Sequence, residues 1–318
     1  MPYPPEMSRR TLLGAAALAA ASQSKAAPFP TSPGGLKVSI FSKHLLFLQG
    51  EALADAAAGL GLDGIDLAVR KGGHVDPAAV SQELPKLVKI VRSHNLEVPM
   101  ITTDIVDADS PYAEDVLRCM HQLDIRNYRW GGFKYDYAKP LAPQLEALKP
   151  RVARLADLNK RYNATAMYHT HSGIGVVGAS IWDLHIILKD FDPNSVGVNY
   201  DIGHATIEGG FGGWINSFYI THRHLRGIAV KDCLWEKGAN GKWKSEFVPM
   251  GTGMVHFAEF FKMVKQSGFN GPLQIHYEYP LGGANDGKTK LTMPQEEVLA
   301  AMKRDVRQLR TYLQEANL

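Results

Sequence analysis

Eight short apolar runs, each followed by a stretch with helical periodicity, leave this chain few architectures. The runs are 38–42, 64–68, 97–103, 126–130, 164–170, 195–201, 226–232 and 272–278. Amphipathic or helix-forming stretches separate them at 50–60, 77–94, 111–123, 144–161, 179–190, 212–223, 256–267 and 294–315. Eight strand-then-helix units predict a closed parallel α/β barrel, a (β/α)8 fold, within one domain. An open doubly wound sheet is the alternative. It usually carries a glycine-rich phosphate turn after its first strand, and FSKHLLFLQGE at that place has none. Asp76-Pro77 and Ser110-Pro111 read as caps ahead of an N1 proline. Gly268 and Asn270-Gly271 close a helix before the last strand.

The barrel is expected over residues 36–318. Residues 28–35, PFPTSPGG, read as a linker. Residues 1–27 read as a twin-arginine-type signal peptide: Arg9-Arg10, an alanine-rich apolar run to Ala21, then small residues to Ala27. A plain Sec signal or an uncleaved anchor is the alternative. The expected location is periplasmic, with no membrane association after processing. No second apolar run is long enough to cross a bilayer. Net charge is only +3, with no basic stripe of the kind that binds nucleic acid. Two cysteines, Cys119 and Cys233, do not make a disulfide framework and are expected to be reduced and packed.

The second half carries the chemistry. AMYHTH, VGVNYD, GIAVKD and LQIHYE each end in ionisable groups at strand spacing. Residues two apart on a strand share a face, so His169 and His171 point one way, and so do His276 and Glu278. In a parallel barrel the carboxyl ends of the strands form the active face. His169, Asp201 and His276 would supply two histidines and one carboxylate to a divalent metal ion, with open positions. That set suits Mn, Fe, Co, Ni or Zn. A metal-free polar network is the alternative, and Asp201 could simply cap the following helix. Glu278, Lys231 and His204 are the expected catalytic groups, with Glu278 the carboxylate for proton transfer. His171, Arg129, Trp130 and Lys43 are the expected substrate contacts, Trp130 as an aromatic platform alongside Trp182 and Trp235. Asn240-Gly241 predicts a hairpin standing over the mouth after strand seven. A long loop, 281–294, follows strand eight. No G-x-S-x-G elbow, P-loop or H-E-x-x-H helix is present, which argues against a serine hydrolase or an NTPase.

Four tracts carry a family resemblance: LGLDGIDL, YDIGHA, AVKD, and VPMGTGMVHFAEFFKMVKQSGFNGPLQIHYE. Over about residues 36–316 the chain resembles the xylose isomerase-like TIM barrels, the sugar phosphate isomerase/epimerase group related to AP-endonuclease barrels. The resemblance implies Glu, Asp, His and Glu as metal ligands at the ends of strands five to eight. Here those positions hold His169, Asp201, Ala229 and His276. The companion His204, Lys231 and Asp232 are kept, while the paired-glutamate epimerase mechanism lacks its residues. The expectation is therefore a metal-assisted isomerase or epimerase acting next to a carbonyl on a non-phosphorylated sugar. A lyase or hydratase on 3-keto sugars or glycosides, or a non-catalytic sugar-binding barrel, is the alternative. A DNA-repair endonuclease is opposed by the signal peptide and the weak charge. The expected partner is a small-molecule sugar, and a homo-oligomer is compatible with the sequence.

Overall fold

A computed structural model describes residues 35–318. The expected signal peptide and all of the linker but Gly35 lie outside the described residues. Eight parallel strands close into a barrel: β1 (Val38–Phe41), β2 (Gly64–Val69), β3 (Met100–Thr103), β4 (Asn127–Trp130), β5 (Thr165–His169), β6 (Val196–Asp201), β7 (Leu225–Val230) and β10 (Leu273–Ile275). Each strand pairs with its predecessor, and β10 closes the barrel between β7 and β1. All eight expected strands are present. The last is shorter than 272–278, but the His276 N–H still donates to the Val230 carbonyl, so the extended chain runs on.

The helices are α1 (Gly50–Gly59), α2 (Val80–Ser93), α3 (Ala113–Gln122), α4 (Leu141–Arg161), α5 (Trp182–Leu188), α6 (Ile202–Gly209), α7 (Gly213–Thr221), α8 (Phe257–Gln266) and α9 (Gln295–Glu315). Their apolar stripes explain why they pack on the barrel. In α2, Val80, Leu84, Leu87, Val88 and Val91 are buried; in α9, Val298, Met302, Val306, Leu309 and Leu313 are. Both sets follow the three-and-four spacing of one helix face. Asp76 caps as expected, its side chain accepting from the Ala78 N–H. Ser110 does not. Its hydroxyl accepts from the N–H groups of Val106 and Asp107, and α3 starts later, after Tyr112 in a left-handed conformation.

The expected hairpin exists as β8 (Asp232–Lys237) paired antiparallel with β9 (Trp243–Val248). Its turn differs from a two-residue Asn-Gly turn. The Gly241 N–H donates to the Gly238 carbonyl, and only Gly241 is left-handed, so the loop has three residues with a bulge. The 281–294 loop is anchored: Leu281 and Ala284 are buried, and the Ala284 carbonyl meets the His44 ring. Among the described residues no helix is long and apolar enough to cross a membrane.

Candidate active site at the carboxyl ends of the strands

Strand parity decides which side chains reach the barrel mouth. On β6, Asn199 and Asp201 face inward while Tyr200 packs outward against Phe218 and Phe260. The same alternation brings His169 in from β5, Lys231 from the end of β7, and Gln274, His276 and Glu278 from the β10 segment. Small residues on β7 make room. A Cβ at Gly227 would lie 2.9 Å from Met167 Sδ, and Ala229 is fully buried in register with Asp201 and Gln274.

Lys231 is the hub. Its ammonium, 2% exposed, lies 2.6 Å from His204 Nε2, 2.9 Å from Glu278 Oε2 and 3.2 Å from Asp201 Oδ2. The hydrogen bond goes to His204 Nε2, and the two carboxylate oxygens pair with the ammonium as ions. His204 therefore accepts at Nε2 and carries its proton on Nδ1, which donates to Ser172 Oγ at 2.7 Å. Phe247 of the hairpin covers the lysine from above, with Nζ 4.6 Å from the ring centre.

Asp201 does two things at once. Its Oδ1 accepts from the His204 N–H at 3.0 Å and caps α6. Its Oδ2, buried, has no aligned hydrogen bond and faces His169 Nε2 at 3.5 Å and His276 Nδ1 at 3.9 Å. The capping role and the site role thus fall on different oxygens of one carboxylate. His276 donates from Nε2 to Gln274 Oε1 at 3.1 Å, which leaves Nδ1 as a buried lone pair without a partner. His169 Nδ1 meets the Asn199 carboxamide at 3.3 Å. Asn199 Oδ1 also lacks a partner, so the amide turned over would accept from Nδ1–H and leave the His169 Nε2 lone pair facing Asp201.

Electrostatics keep these donors usable. Burial, then Arg129 and His276, holds His169 well below the usual imidazole range. Burial, then Lys231, does the same for His204. Burial lowers His276 to about 4, against the carboxylates beside it. For Glu278, burial pushes upward, but Lys231 and the neighbouring imidazoles outweigh it and hold the carboxyl well below its usual value. The site therefore presents neutral imidazoles and an ionised glutamate.

These residues fit a divalent cation. Two buried polar atoms without a hydrogen bond, Asp201 Oδ2 and His276 Nδ1, face each other at 3.9 Å. Donors sharing an ion at bond lengths of about 2.0–2.2 Å sit roughly 3–4 Å apart, as the Asp201 pairs with His169 and His276 do. Among the described residues, the group whose atoms all lie close enough together to share an ion is His169, Asp201 and His204, and His276 is not in it. Both His204 ring nitrogens are already engaged, by Lys231 and Ser172, which favours His276 as the second imidazole donor.

The remaining expectations sort by position. Lys43 and Arg129 reach the mouth, half-buried, within electrostatic reach of Glu278. His171 stands exposed on the rim, its ring 4.0 Å from that of His204. Trp130 is a correction. It faces outward on β4, is 1% exposed, packs against Phe133 and Tyr168, and spends its indole N–H on the Val106 carbonyl. Trp235 does border a cavity of ≈ 560 Å³, shared with Tyr137, Ile174, Ser172 and Glu208, on the flank of His204. Asp232 is structural: its carboxylate accepts from the N–H groups of Cys233, Gly251, Gly253 and Val255, tying the Gly251-Thr252-Gly253 turn to the end of β7. Cys119 and Cys233 are free and buried, as expected. Sequence reasoning passed over Asn199, Gln274 and Arg70. Each sits two residues from a named inward group (Asp201, His276) or extends the inward row of β2, so the same parity rule reaches them.

The profile of the xylose isomerase-like TIM barrel family matches residues 54–304. The chain belongs to that family. Among curated proteins it is 27% identical over 101 residues to an uncharacterised protein of Methanocaldococcus jannaschii, a match covering 32% of each chain. It is 24% identical over 148 residues to inosose dehydratase of Lacticaseibacillus casei, covering 44% of this chain and 49% of that one. The chain thus spans about a third and about half of these relatives. Similar solved structures include D-psicose 3-epimerase with D-tagatose from Clostridium cellulolyticum H10 (TM-score 0.61, 14% identity, 87% of this chain and 99% of that). The probable 3-DHS dehydratase AsbF from Bacillus anthracis is similar too (TM-score 0.61, 15% identity, 84% and 98%). At these identities the structures report the fold.

Proposed function

We propose that this xylose isomerase-like barrel is an enzyme that moves a proton on the carbon next to the carbonyl of a small sugar, as an isomerase or epimerase. One observation carries the reading: an ionised Glu278, gripped at Oε2 by Lys231, stands beside buried histidine and aspartate atoms that lack hydrogen bonds. Glu278 Oε1 is free of that grip and is the oxygen to take the proton. Lys231 fixes the carboxylate and sets a positive charge where an oxyanion would develop. His204, held by Ser172, fixes Lys231 in turn. A divalent cation held by His169, Asp201 and His276 would supply polarisation of the carbonyl. Asp201 is committed to α6 and to that centre, which leaves Glu278 as the carboxylate to move the proton. A single base suits aldose–ketose isomerisation, where the same carboxyl returns the proton to the neighbouring carbon.

Dehydration is a second reading with its own support. Lys231 joins Glu278 to His204, which places a proton donor beside the base, the pairing an elimination needs to release a hydroxyl. The partial match to an inosose dehydratase points the same way. The expected leader at 1–27 agrees with a non-phosphorylated substrate met outside the cytoplasm.

The test is deuterium uptake. The protein, with Mn, Co or Zn ions, is incubated in D2O with ketoses, aldoses and 3-keto sugars and the carbon-bound hydrogens are read by mass spectrometry. Exchange is expected, slowed about 10²-fold or more by Glu278→Gln. Product of unchanged composition indicates isomerisation, and loss of water indicates dehydration. No exchange into any sugar with any of the ions would overturn the proposal.

A further inference from the structure

Phe41, the last residue of β1, is bracketed by cations with no carboxylate in direct contact. The Arg70 guanidinium carbon lies 5.2 Å from the ring centre and that of Arg129 lies 5.8 Å from it. Lys43 follows two residues on; burial lowers its ammonium, Glu278 opposes this, and Lys231, Arg70 and Arg129 add to it. Among the described residues, Lys43, Arg70 and Arg129 have no side-chain hydrogen bond or ion pair with a carboxylate, and none was absorbed into the proton-transfer centre above. The cluster adjoins that centre, because the Phe41 ring is 5.3 Å from the His276 ring.

The surrounding carboxyls balance it only in part. Glu278 and Asp201 are taken up by Lys231. Asp66, deeper on β2, is pushed by burial up to about 8 and receives the Thr102 hydroxyl, so it is largely neutral near pH 7. Contact with an aromatic face offsets only about 0.5–2 kcal/mol per cation, less than crowding three half-buried charges costs. Guanidinium forks suit the planar oxygens of carboxylates and phosphates.

We propose that Lys43, Arg70 and Arg129 form an anion subsite at the carboxyl ends of β1, β2 and β4, which takes the carboxylate or phosphate of an acidic sugar whose reacting carbon faces Glu278. This deepens the proton-transfer reading and rests on it for the position of the reacting carbon. One aromatic ring separates the cluster from His276, a span that the length of a monosaccharide bridges. The substrate class is then a sugar acid, in keeping with the non-phosphorylated substrate above, or a sugar phosphate, which would replace it, rather than a neutral sugar.

Calorimetric titration of the full chain tests it. The probes are D-glucuronate, D-galacturonate and D-glucose 6-phosphate against D-glucose and D-galactose, with wild type, Arg70→Gln and Arg129→Gln. The acids are expected to bind about tenfold or more tightly than the neutral sugars, as one or two charge-assisted hydrogen bonds would give. Either substitution is expected to bring the ratio toward one. Preference for the uronates identifies a carboxylate, and preference for the ester a phosphate. Acids binding no better than neutral sugars, acids not binding at all, or a preference that survives in both variants would overturn the subsite. Arg70 is half-exposed on the rim, so its variant gives a readout even where Arg129→Gln folds poorly. Anion binding without deuterium exchange removes the catalytic reading and keeps the subsite; exchange of neutral sugars without anion binding does the reverse.

Discussion

Lys231 balances one buried and one part-buried carboxylate, and its removal shows what that balance is worth. Lys231→Met leaves Asp201 and Glu278 without their shared ammonium. Breaking one partner out of a buried charge group costs roughly 3–5 kcal/mol, so the urea midpoint is expected to fall by a corresponding amount. Glu278 should then titrate higher than in the wild type, because burial is opposed only by the neighbouring imidazoles. A second expectation concerns His276. Its folded value, about 4, lies below the value of about 6.5 expected unfolded. The unfolded chain therefore binds a proton there between those pH values while the folded chain does not. The residue's contribution to stability is complete above pH about 6.5 and is lost as pH falls toward about 4. Its imidazole resonances should hold still from neutral pH down and move only near the lower value; a midpoint near 6.5 would contradict the buried, neutral ring. At this scale the charged members of the site were legible, because two-residue spacing puts ionisable groups on one face. Asn199 and Gln274 share that spacing, but amides do not stand out as chemistry in a sequence. Trp130 was misplaced because its parity with Arg129 was not applied: neighbours on a strand face opposite ways.

Helix α6 and the Asp232 turn set the site at the level of elements. Gly203 lets α6 start against the end of β7, since a Cβ there would lie 2.7 Å from Lys231 Cγ and 2.9 Å from the Lys231 carbonyl oxygen. Gly203→Ala is expected to cost about 1–3 kcal/mol through overpacking and to shift Lys231 away from His204. Thermal unfolding reads the first effect and weakened coupling between Lys231 and His204 in NMR titration reads the second. An unchanged midpoint would show that the helix start can yield. The YDIGHA run was legible as a motif, yet its helix was not, because eight residues ending in glycine give too short a period to detect. The hairpin was legible from Asn240-Gly241, while its three-residue turn depends on a backbone angle that the dipeptide alone does not fix. Ser110 failed as a cap because its hydroxyl is used one turn earlier, on Val106 and Asp107.

Across the whole molecule, eight strand-helix repeats made the barrel legible, and closure between β1 and β10 is what turns separate strand ends into one mouth. Closure also brings residues distant in sequence, Phe41 and Lys43 from the first unit and His276 and Glu278 from the last, into one neighbourhood. That neighbourhood was not legible from spacing, since no local pattern ties the first strand to the last. Nor was the geometry of the centre: that Asp201 splits its two oxygens between a helix cap and an open position follows only from the packing of α6 on β7. The most direct measurement is cation binding to the purified protein, with Mn, Co and Zn ions titrated into the wild type and into His276→Ala, both checked for folding by circular dichroism. About one ion per chain, held in the wild type and released or bound far more weakly in His276→Ala, is the expected result. No uptake of any of the three ions by folded wild type, or equal uptake by the variant, would contradict a centre built from His169, Asp201 and His276.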